Sequence, residues 1–152
     1  MIINIQNVRS SEDFSAVRFS EIAAQSRFTA RFDNSYFVYC MKHALLTSIV
    51  TCDREAEGVC VCVSSKIPDS CEVEMIAISS GRRRIMLGKK LLSHSLRNMR
   101  SMKQRTAFAW VNENNSEAMA FFRDFGFEPD GRRRSARNRT DGEDIRLKID
   151  IY

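Results

Sequence analysis

The sequence lacks several features that would place it in familiar classes of protein. No apolar run reaches the ~18 residues of a membrane-spanning helix. The first residues, MIINIQNVRSSEDF, do not place a basic region before an apolar one, as a secretory signal does. Histidine occurs only twice, as His43 and His94. We therefore expect a cytoplasmic protein without a transmembrane segment or a metal site.

Cysteine is present, but in an odd number and without a CxxC pair. Five cysteines occur, at positions 40, 52, 60, 62 and 71. Without a secretory signal, a framework of disulfides is not expected. Cys60 and Cys62 lie two apart in GVCVCVSS, so they share one face if this stretch is a strand. We expect reduced, buried thiols that pack as small apolar side chains.

The composition is that of one globular domain, which we place over residues 1–152. Hydrophobic residues make up 43% of the chain and charged residues 28%. The net charge of +5 is concentrated in two clusters. Their members are Arg82, Arg83, Arg84, Lys89 and Lys90 in the first, and Arg132, Arg133, Arg134, Arg137 and Arg139 in the second. Such clusters are typical either of phosphate binding or of solvated surface.

Hydrophobic periodicity predicts the order β-α-α-β-β-β-α-β-α-β-β, a mixed sheet with helices on its faces. The predicted strands are 1–8, 48–53, 58–67, 71–78, 105–112, a less regular one around 127–138, and 144–151. The predicted helices are 11–26, 33–46, 86–102 and 116–125. Residues 54–57, REAE, are predicted to join the second and third strands, and NRTDGE the last two.

Capping residues give the predicted helix starts. We expect Ser10 or Ser11 to cap the first helix, with Glu12 and Asp13 in its first turn. The second helix has Asp33 or Asn34 as its cap. Asn115 is the predicted cap of the fourth helix, and Gly126 follows its last residue.

The stretch ISSGRRRIMLGKKLL, residues 78–92, has the features of an anion site. The fourth strand ends near Ile78, and the third helix begins near Met86 with unpaired backbone N–H groups. Gly88 has no Cβ and would let a ligand approach the backbone. Arg83, Arg84 and Lys89 would add charged hydrogen bonds. A basic turn with a tolerated glycine remains the alternative.

Two segments resemble motifs of the GNAT N-acetyltransferase superfamily. RRIMLG, residues 83–88, is similar to the family's R/Q-x-x-G-x-G/A motif for acetyl-CoA. NSEAMAFFRDFGF, residues 115–127, is similar to its N-x-x-A, aromatic, G-F block. The resemblance covers essentially the whole chain. It implies the α/β GNAT fold: a mixed, mostly antiparallel central sheet of about seven strands, with strands 4 and 5 splayed and four flanking helices.

The resemblance also implies where acetyl-CoA would bind. The pantetheine arm would lie between the splayed strands, and the pyrophosphate on the loop that enters the third helix. The implied cofactor residues are Ile76, Ala77, Ile78, Arg83, Arg84, Ile85, Met86, Leu87, Gly88, Lys89, Asn115, Ala118, Phe121 and Phe122. Asn115 is both a candidate cap and a candidate ligand contact.

Two residues depart from the family pattern. Met86 occupies the position of the first glycine of the motif, where a side chain would crowd the pyrophosphate. Phe122 occupies a position where many members have a tyrosine that is thought to protonate the leaving thiolate. Phenylalanine has no proton to give. Loss of a general acid typically lowers a rate by ~10²–10⁴-fold.

Candidate bases lie on the fourth strand. Glu72 and Glu74 are two apart, which places them on one face together with Ile76 and Ile78 if the strand alternates regularly. Either carboxylate could take the proton of an attacking amine. The alternative is that both glutamates simply face solvent. On the second helix, Tyr36, Tyr39 and His43 are candidates either for the acceptor side or for the core.

The resemblance implies transfer of acetyl from acetyl-CoA to a primary amine, on a small molecule or a protein, by direct attack in a ternary complex. Cys71 has no histidine nearby in the sequence and is not proposed as a nucleophile. One alternative is a binding protein with this fold that has lost catalysis and acts through a protein partner. Another is acetylation of aminoacyl-tRNA, for which the second arginine cluster is the only support. A homodimer is possible under each alternative.

Overall fold

The computed structural model describes residues 1–9, 15–82, 85–134 and 142–151. Within these ranges it contains seven strands and four helices in the predicted order. The strands are β1 (Ile3–Asn7), β2 (Leu46–Cys52), β3 (Glu55–Ser64), β4 (Ser70–Ile78), β5 (Thr106–Asn112), β6 (Glu128–Arg134) and β7 (Glu143–Asp150). The helices are α1 (Ala16–Ala23), α2 (Asn34–His43), α3 (Ile85–Ser101) and α4 (Ser116–Phe125).

The strands form one mixed sheet in the order β1-β2-β3-β4-β5-β7-β6. Every neighbouring pair is antiparallel except β4 and β5, which run parallel. A parallel pair needs a long crossover connection, and α3 supplies it. The predicted mixed, mostly antiparallel sheet is confirmed.

Side-chain caps fix where α1 and α2 begin. The Asp33 side chain accepts from the backbone N–H of Tyr36 at 3.0 Å, and α2 starts at Asn34. Ser15 caps α1 in the same way, through the N–H of Val17 at 3.2 Å. The helix therefore starts at Ala16, later than predicted. The predicted start at 10–13 lies outside the described residues.

The connection between β2 and β3 is shorter than predicted. Cys52 pairs with Glu55, so only Asp53 and Arg54 form the turn. Both have positive φ, 50° and 75°, as a tight two-residue hairpin turn requires. The Asp53 side chain also accepts from the backbone N–H of Ile2 at 2.8 Å. The interpretation of residues 54–57 as the connecting loop was wrong, because polar Glu55 and Glu57 belong to the strand.

Two cores cover the two faces of the sheet. The α3-side core contains the apolar side of α3 and Phe122 of α4, packed on the central strands. The α2-side core is built around Phe19 of α1 and Phe37 of α2, whose rings meet edge to face with their centres 5.6 Å apart. Helices therefore flank both faces, and the central strands are buried between them.

All five cysteines are buried and free, as predicted for reduced thiols. Cys60 and Cys62 both contribute to the α3-side core, which confirms that they share a face. No helix in the described part of the chain combines the length and the apolar character needed to cross a membrane.

Candidate functional site

The two parallel strands separate after three residue pairs. Ser70, Cys71 and Glu72 pair with Thr106, Ala107 and Phe108, and the ladder ends there. β4 continues to Ile78 and β5 to Asn112 without pairing to each other. The predicted splay of strands 4 and 5 is confirmed. A cavity of about 930 Å³ opens between the strands, with the facing backbone edges in its walls.

A β-bulge in β4 changes which side chains face which core. On β3 the consecutive residues Val61 and Cys62 pair with Met75 and Val73, so Glu74 is the extra residue. Beyond the bulge, Ile76 packs on the α3-side core. Before it, Glu72 lies opposite Val63, which packs on the α2-side core. The predicted shared face of Glu72 with Ile76 and Ile78 was therefore wrong, because the bulge reverses the alternation.

Both candidate carboxylates line the cavity. Glu72 is half-buried and belongs to the last pair before the strands separate, whereas Glu74 is exposed at the bulge. Neither takes part in an ion pair within the described residues. The bulge directs the pair toward the side of α1 and α2. These carboxylates are thus free to meet a group that enters from that side.

Tyr36 is the member of the α2 trio that reaches the cavity. Its hydroxyl is buried and forms no hydrogen bond of normal geometry with the described residues. Burial, and after it the neighbouring Glu74 carboxylate, raises the pKa of Tyr36 far above its ordinary value. The phenol therefore keeps its proton, with Glu74 and Cys40 as its neighbours. Tyr39 and His43 instead stack on one another outside the cavity, 4.7 Å apart, and are exposed rather than part of the core.

The predicted cofactor residues fall into three groups. Arg83 and Arg84 lie outside the described residues, and Ile85 begins α3. Leu87 belongs to the α3-side core, and Met86 is 66% exposed. The cavity wall does not include Leu87, Met86 or Lys89. The cavity wall contains the remaining ones, which are Ile76, Ala77, Ile78, Gly88, Asn115, Ala118, Phe121 and Phe122.

Gly88 serves a contact within the protein. A Cβ at this position would lie 2.9 Å from Cε2 of the Phe121 ring, closer than real Cβ contacts. Gly88 thus lets α4 approach α3 at the cavity wall. The sequence analysis assigned its missing Cβ to a ligand, and that role is compatible with this one because Gly88 also lines the cavity.

The start of α4 combines a cap with a wall of aromatic rings. Asn115 accepts from the N–H of Ala118 at 3.2 Å and lines the cavity, so it is a cap placed at the site. Phe122 is 5% exposed, with its ring centre 5.3 Å from that of Phe121 and 5.1 Å from that of Phe127. The position where the family often has a tyrosine is here part of a packed aromatic cluster.

A network that the sequence analysis missed holds the loop after β4. The Glu57 carbonyl accepts from the N–H of Ser79 at 2.7 Å, and its carboxylate accepts from the Ser79 hydroxyl. Arg18 of α1 lies 3.5 Å from that carboxylate and donates to the Ala56 carbonyl at 3.0 Å. The Gln25 side chain accepts from the N–H of Ser80. The partners in these interactions are 22–55 positions apart in the sequence, so no local sequence pattern indicates the network.

The wall facing β4 was also missed. It contains Trp110 of β5, and Arg133, whose guanidinium carbon lies 3.9 Å from the Trp110 ring centre. Arg133 is 3.6 Å from Asp144, which also lines the cavity. Six residues between α1 and α2 also line the cavity: Ser26, Arg27, Phe28, Thr29, Arg31 and Phe32. No local pattern in the sequence indicates that β6 and β7 bring charges to Trp110.

Comparison with known proteins identifies the fold. The family model described as acetyltransferase (GNAT) family matches residues 11–127. No curated protein sequence matches significantly. Among solved structures, the ribosomal-protein-S18-alanine N-acetyltransferase from Escherichia coli is 20% identical, with a TM-score of 0.80, and the match covers 99% of this chain and 94% of that one.

Two other solved structures extend the comparison. Aminoglycoside 6'-acetyltransferase type Ii is 15% identical, with a TM-score of 0.83 over 100% of this chain and 98% of that one. An acetyltransferase from Bacillus subtilis, solved in complex with CoA, is 13% identical, with a TM-score of 0.75 over 99% and 100%. The family model covers well over half of the chain, and it matches both motif segments. This chain belongs to the GNAT acetyltransferase family.

Proposed function

We propose that the protein transfers an acetyl group from acetyl-CoA to a primary amine by direct attack in a ternary complex. The observation that carries the proposal is the cavity between the splayed strands, which is lined by the two diverging strands, by aromatic rings, and by Glu72 and Glu74, neither of which forms an ion pair with a described residue. A solved acetyltransferase of the same fold is a CoA complex. We propose an amine as the acceptor on two grounds, which are the family to which the chain belongs and the carboxylates that line the cavity.

The residues of the cavity fit the proposed cofactor. Among the described residues, the β4 edge at Ile76 and Ala77 is not part of the ladder with β5 and can hydrogen-bond an amide-bearing arm. Phe121 and Phe122 supply apolar surface, and the volume of about 930 Å³ is at the upper end of ordinary ligand pockets. We assign the pyrophosphate to the loop from Arg83 to Lys89 at the start of α3. Acetyl-CoA would supply the acetyl group as an activated thioester.

In the reaction we assign proton removal to Glu72. The amine nitrogen forms the new bond to the acetyl carbon, the carbon–sulfur bond breaks, and the amine proton passes to the carboxylate directly or through water. Glu72 is favoured because it is half-buried where the strands separate and lies on the α2 side. Glu74, at the bulge, is the alternative base. The sulfur takes its proton from water or another group, since Phe122 has none to give.

Equilibrium binding and turnover test the proposal together. Purified protein is titrated with acetyl-CoA, and thiol release is then followed with a panel of amines. We expect binding and amine-dependent thiol release. Arg83→Ala with Arg84→Ala should weaken acetyl-CoA binding, while Arg97→Ala with Arg100→Ala, on the exposed side of α3, should not. Absence of binding in the wild type would refute the assignment of the cofactor.

A second candidate function rests on Phe122. Its burial in an aromatic cluster, in place of a tyrosine, favours a protein of this fold that binds CoA or a protein partner without turnover. Acetyl-CoA binding with no thiol release across the amine panel would support that candidate. Acetylation of aminoacyl-tRNA gains no specific observation from the described residues, where Arg132 and Arg133 lie 3.1 Å and 3.6 Å from Glu143 and Asp144. Arg137 and Arg139 of the same cluster lie outside the described residues.

A further inference from the structure

The cavity is also lined by two arginines that form no ion pair with a described residue. Arg27 and Arg31, from the segment between α1 and α2, both line it. Their guanidinium carbons lie 4.3 Å and 4.4 Å from the ring centres of Phe28 and Phe32. Within the described residues, neither takes part in an ion pair. Stacking on an aromatic face leaves the N–H edges of a guanidinium available to a ligand.

The segment that carries these arginines is firmly built. The Thr29 hydroxyl donates to the Ala23 carbonyl at 2.6 Å, tying the segment to the end of α1. The Ser26 hydroxyl accepts from the N–H of Phe28 at 3.3 Å. Phe32 is buried, with its ring centre 4.5 Å from that of Tyr36. The backbone from which both guanidinium groups extend is therefore held in place by α1 and by the α2-side core.

Other arginines near the cavity differ from this pair. Arg133 lies 3.6 Å from Asp144, and Arg146 lies 3.0 Å from Asp130. Their charges are offset by the protein itself. Arg27 and Arg31 share the cavity with four carboxylates that, among the described residues, are equally free of ion pairs: Glu72, Glu74, Glu117 and Asp124. The cavity thus presents uncompensated charge of both signs, which a ligand with the complementary pattern would satisfy.

We propose that Arg27 and Arg31 bind an anionic group on the acceptor, so that the preferred acceptor is an amine that also bears a carboxylate or a phosphate. The amine would lie toward Glu72 and Glu74, and the anionic group toward the two guanidinium groups. This inference rests on the proposed acetyl transfer. It adds the class of acceptor and assigns selectivity to two residues outside the motifs of the family.

Matched acceptors test the class. Tyrosine is compared with tyramine, lysine with cadaverine, and O-phosphoethanolamine with ethanolamine, each with saturating acetyl-CoA. We expect kcat/KM to be at least about tenfold higher for the anionic member of a pair, mostly through a lower KM; a tenfold ratio corresponds to ~1.4 kcal/mol. The pair that shows the larger ratio distinguishes carboxylate from phosphate. Equal values within all three pairs would overturn the proposal.

Variants test the residues. In the protein with Arg27→Ala and Arg31→Ala, the ratio within the preferred pair should fall to about one, and lysine at both positions should restore part of it. The control with Arg97→Ala and Arg100→Ala removes the same charge from α3 and should keep the wild-type ratio. The assignment would be contradicted if the double alanine variant keeps the wild-type ratio. It would also be contradicted if weaker acetyl-CoA affinity alone explains the lower kcat/KM of that variant.

A binding measurement keeps the inference separate from turnover. Each acceptor pair is titrated into the wild-type protein saturated with CoA. Stronger binding of the anionic member, lost with Arg27→Ala and Arg31→Ala, would support the anion site even if no amine is acetylated. The proposed anion site would be overturned if both members of each pair bind equally well, or if neither member binds. If acetyl-CoA binds and amines turn over without this preference, the proposed function stands and only the acceptor class fails.

Discussion

Gly88 of α3 lies against the ring of Phe121 of α4 so closely that an added Cβ would be 2.9 Å from the ring. Both residues line the cavity between β4 and β5. The spacing of these two helices at the site therefore depends on the absence of one side-chain carbon. Any residue larger than glycine must displace the Phe121 ring, and the ring borders the space assigned to the cofactor.

Gly88→Ala should therefore affect binding more than stability. Alanine favours a helix interior by ~1 kcal/mol over glycine, which offsets much of the cost of moving the ring. We expect the free energy of unfolding to change by no more than about 1 kcal/mol and acetyl-CoA affinity to fall several-fold, measured by urea titration and calorimetry.

Gly81→Ala is the matched control, because nothing lies within 4 Å of the Cβ that it would add. It should leave affinity unchanged. Adding Phe121→Leu to Gly88→Ala should recover part of the lost affinity by making room. A Gly88→Ala protein that binds acetyl-CoA as the wild type does would show that the ring can move without consequence for the site.

The two carboxylates on β4 can be separated by substitution. Glu72→Gln removes the assigned base while keeping the size of the side chain, so we expect kcat to fall by ~10²-fold or more, with little change in acetyl-CoA affinity. Glu74→Gln, the neighbouring control, should lower kcat by less than about tenfold. Steady-state kinetics at saturating acetyl-CoA measures both. The reverse order of effects would assign the base to Glu74.

Phe122→Tyr supplies a hydroxyl at the aromatic wall of the cavity. Phe122 lines the cavity, and under the proposed function a phenol at this position is expected to face the sulfur of the cofactor. We expect kcat to rise by about tenfold or more, which is ~1.4 kcal/mol in the barrier. Phe127→Tyr is the control, since Phe127 is 1% exposed and outside the cavity wall; it should destabilise the protein without a gain in rate. An unchanged rate in an active Phe122→Tyr enzyme would show that water protonates the thiolate.

Buried thiols should make the protein sensitive to alkali. Burial, followed by the nearby Cys60, raises the pKa of Cys71 from 9.0 to about 12. Between pH 9.0 and about pH 12, the Cys71 thiol loses its proton in the unfolded chain but keeps it in the folded chain. The free energy of unfolding should then fall as the pH rises, by ~1.4 kcal/mol per pH unit from this group. Below pH 8 both states keep the proton, and this contribution does not vary.

Urea titrations from pH 8 to pH 11 measure that slope. Cys71→Ala lowers the stability at every pH, because it removes a buried sulfur that contacts the Thr106 carbonyl oxygen at 3.8 Å. Its slope above pH 9 should nevertheless be shallower than that of the wild type. The same slope in both proteins would contradict the raised pKa of Cys71.

Much of the fold could be predicted from the sequence because its signals are local. The caps Asp33 and Asn115 and the alternation in β7 fixed element positions within a few residues. The turn at Asp53 and Arg54 was missed because two non-glycine residues there adopt positive φ, which composition does not indicate. The start of α1 was misplaced because several serines precede it, and each of them is a plausible cap.

The candidate site was only half predictable. The motifs indicated the cofactor side, where Ile76, Gly88 and Phe122 line the cavity. The acceptor side depends on contacts between distant elements. Arg27 and Trp110 line one cavity although they are 83 positions apart, and no periodicity reports such a meeting. The face of Glu72 was predicted wrongly because a bulge adds a residue to β4 without any mark in its composition.

The extra residue in β4 reverses whether odd-numbered or even-numbered residues face α3. Before it, odd-numbered residues such as Cys71 and Val73 face α3, whereas beyond it the even-numbered Ile76 and Ile78 do so. If the present sequence alternated regularly without the bulge, one end of the strand would have to turn over, burying Glu72 under α3 or carrying Ile76 to the opposite side. Deleting Glu74 would instead remove the bulge and leave both ends as they are, because Val73 would be followed directly by Met75. The placement of the carboxylate on one side and the hydrophobic wall on the other therefore depends on the sheet accommodating this one extra residue.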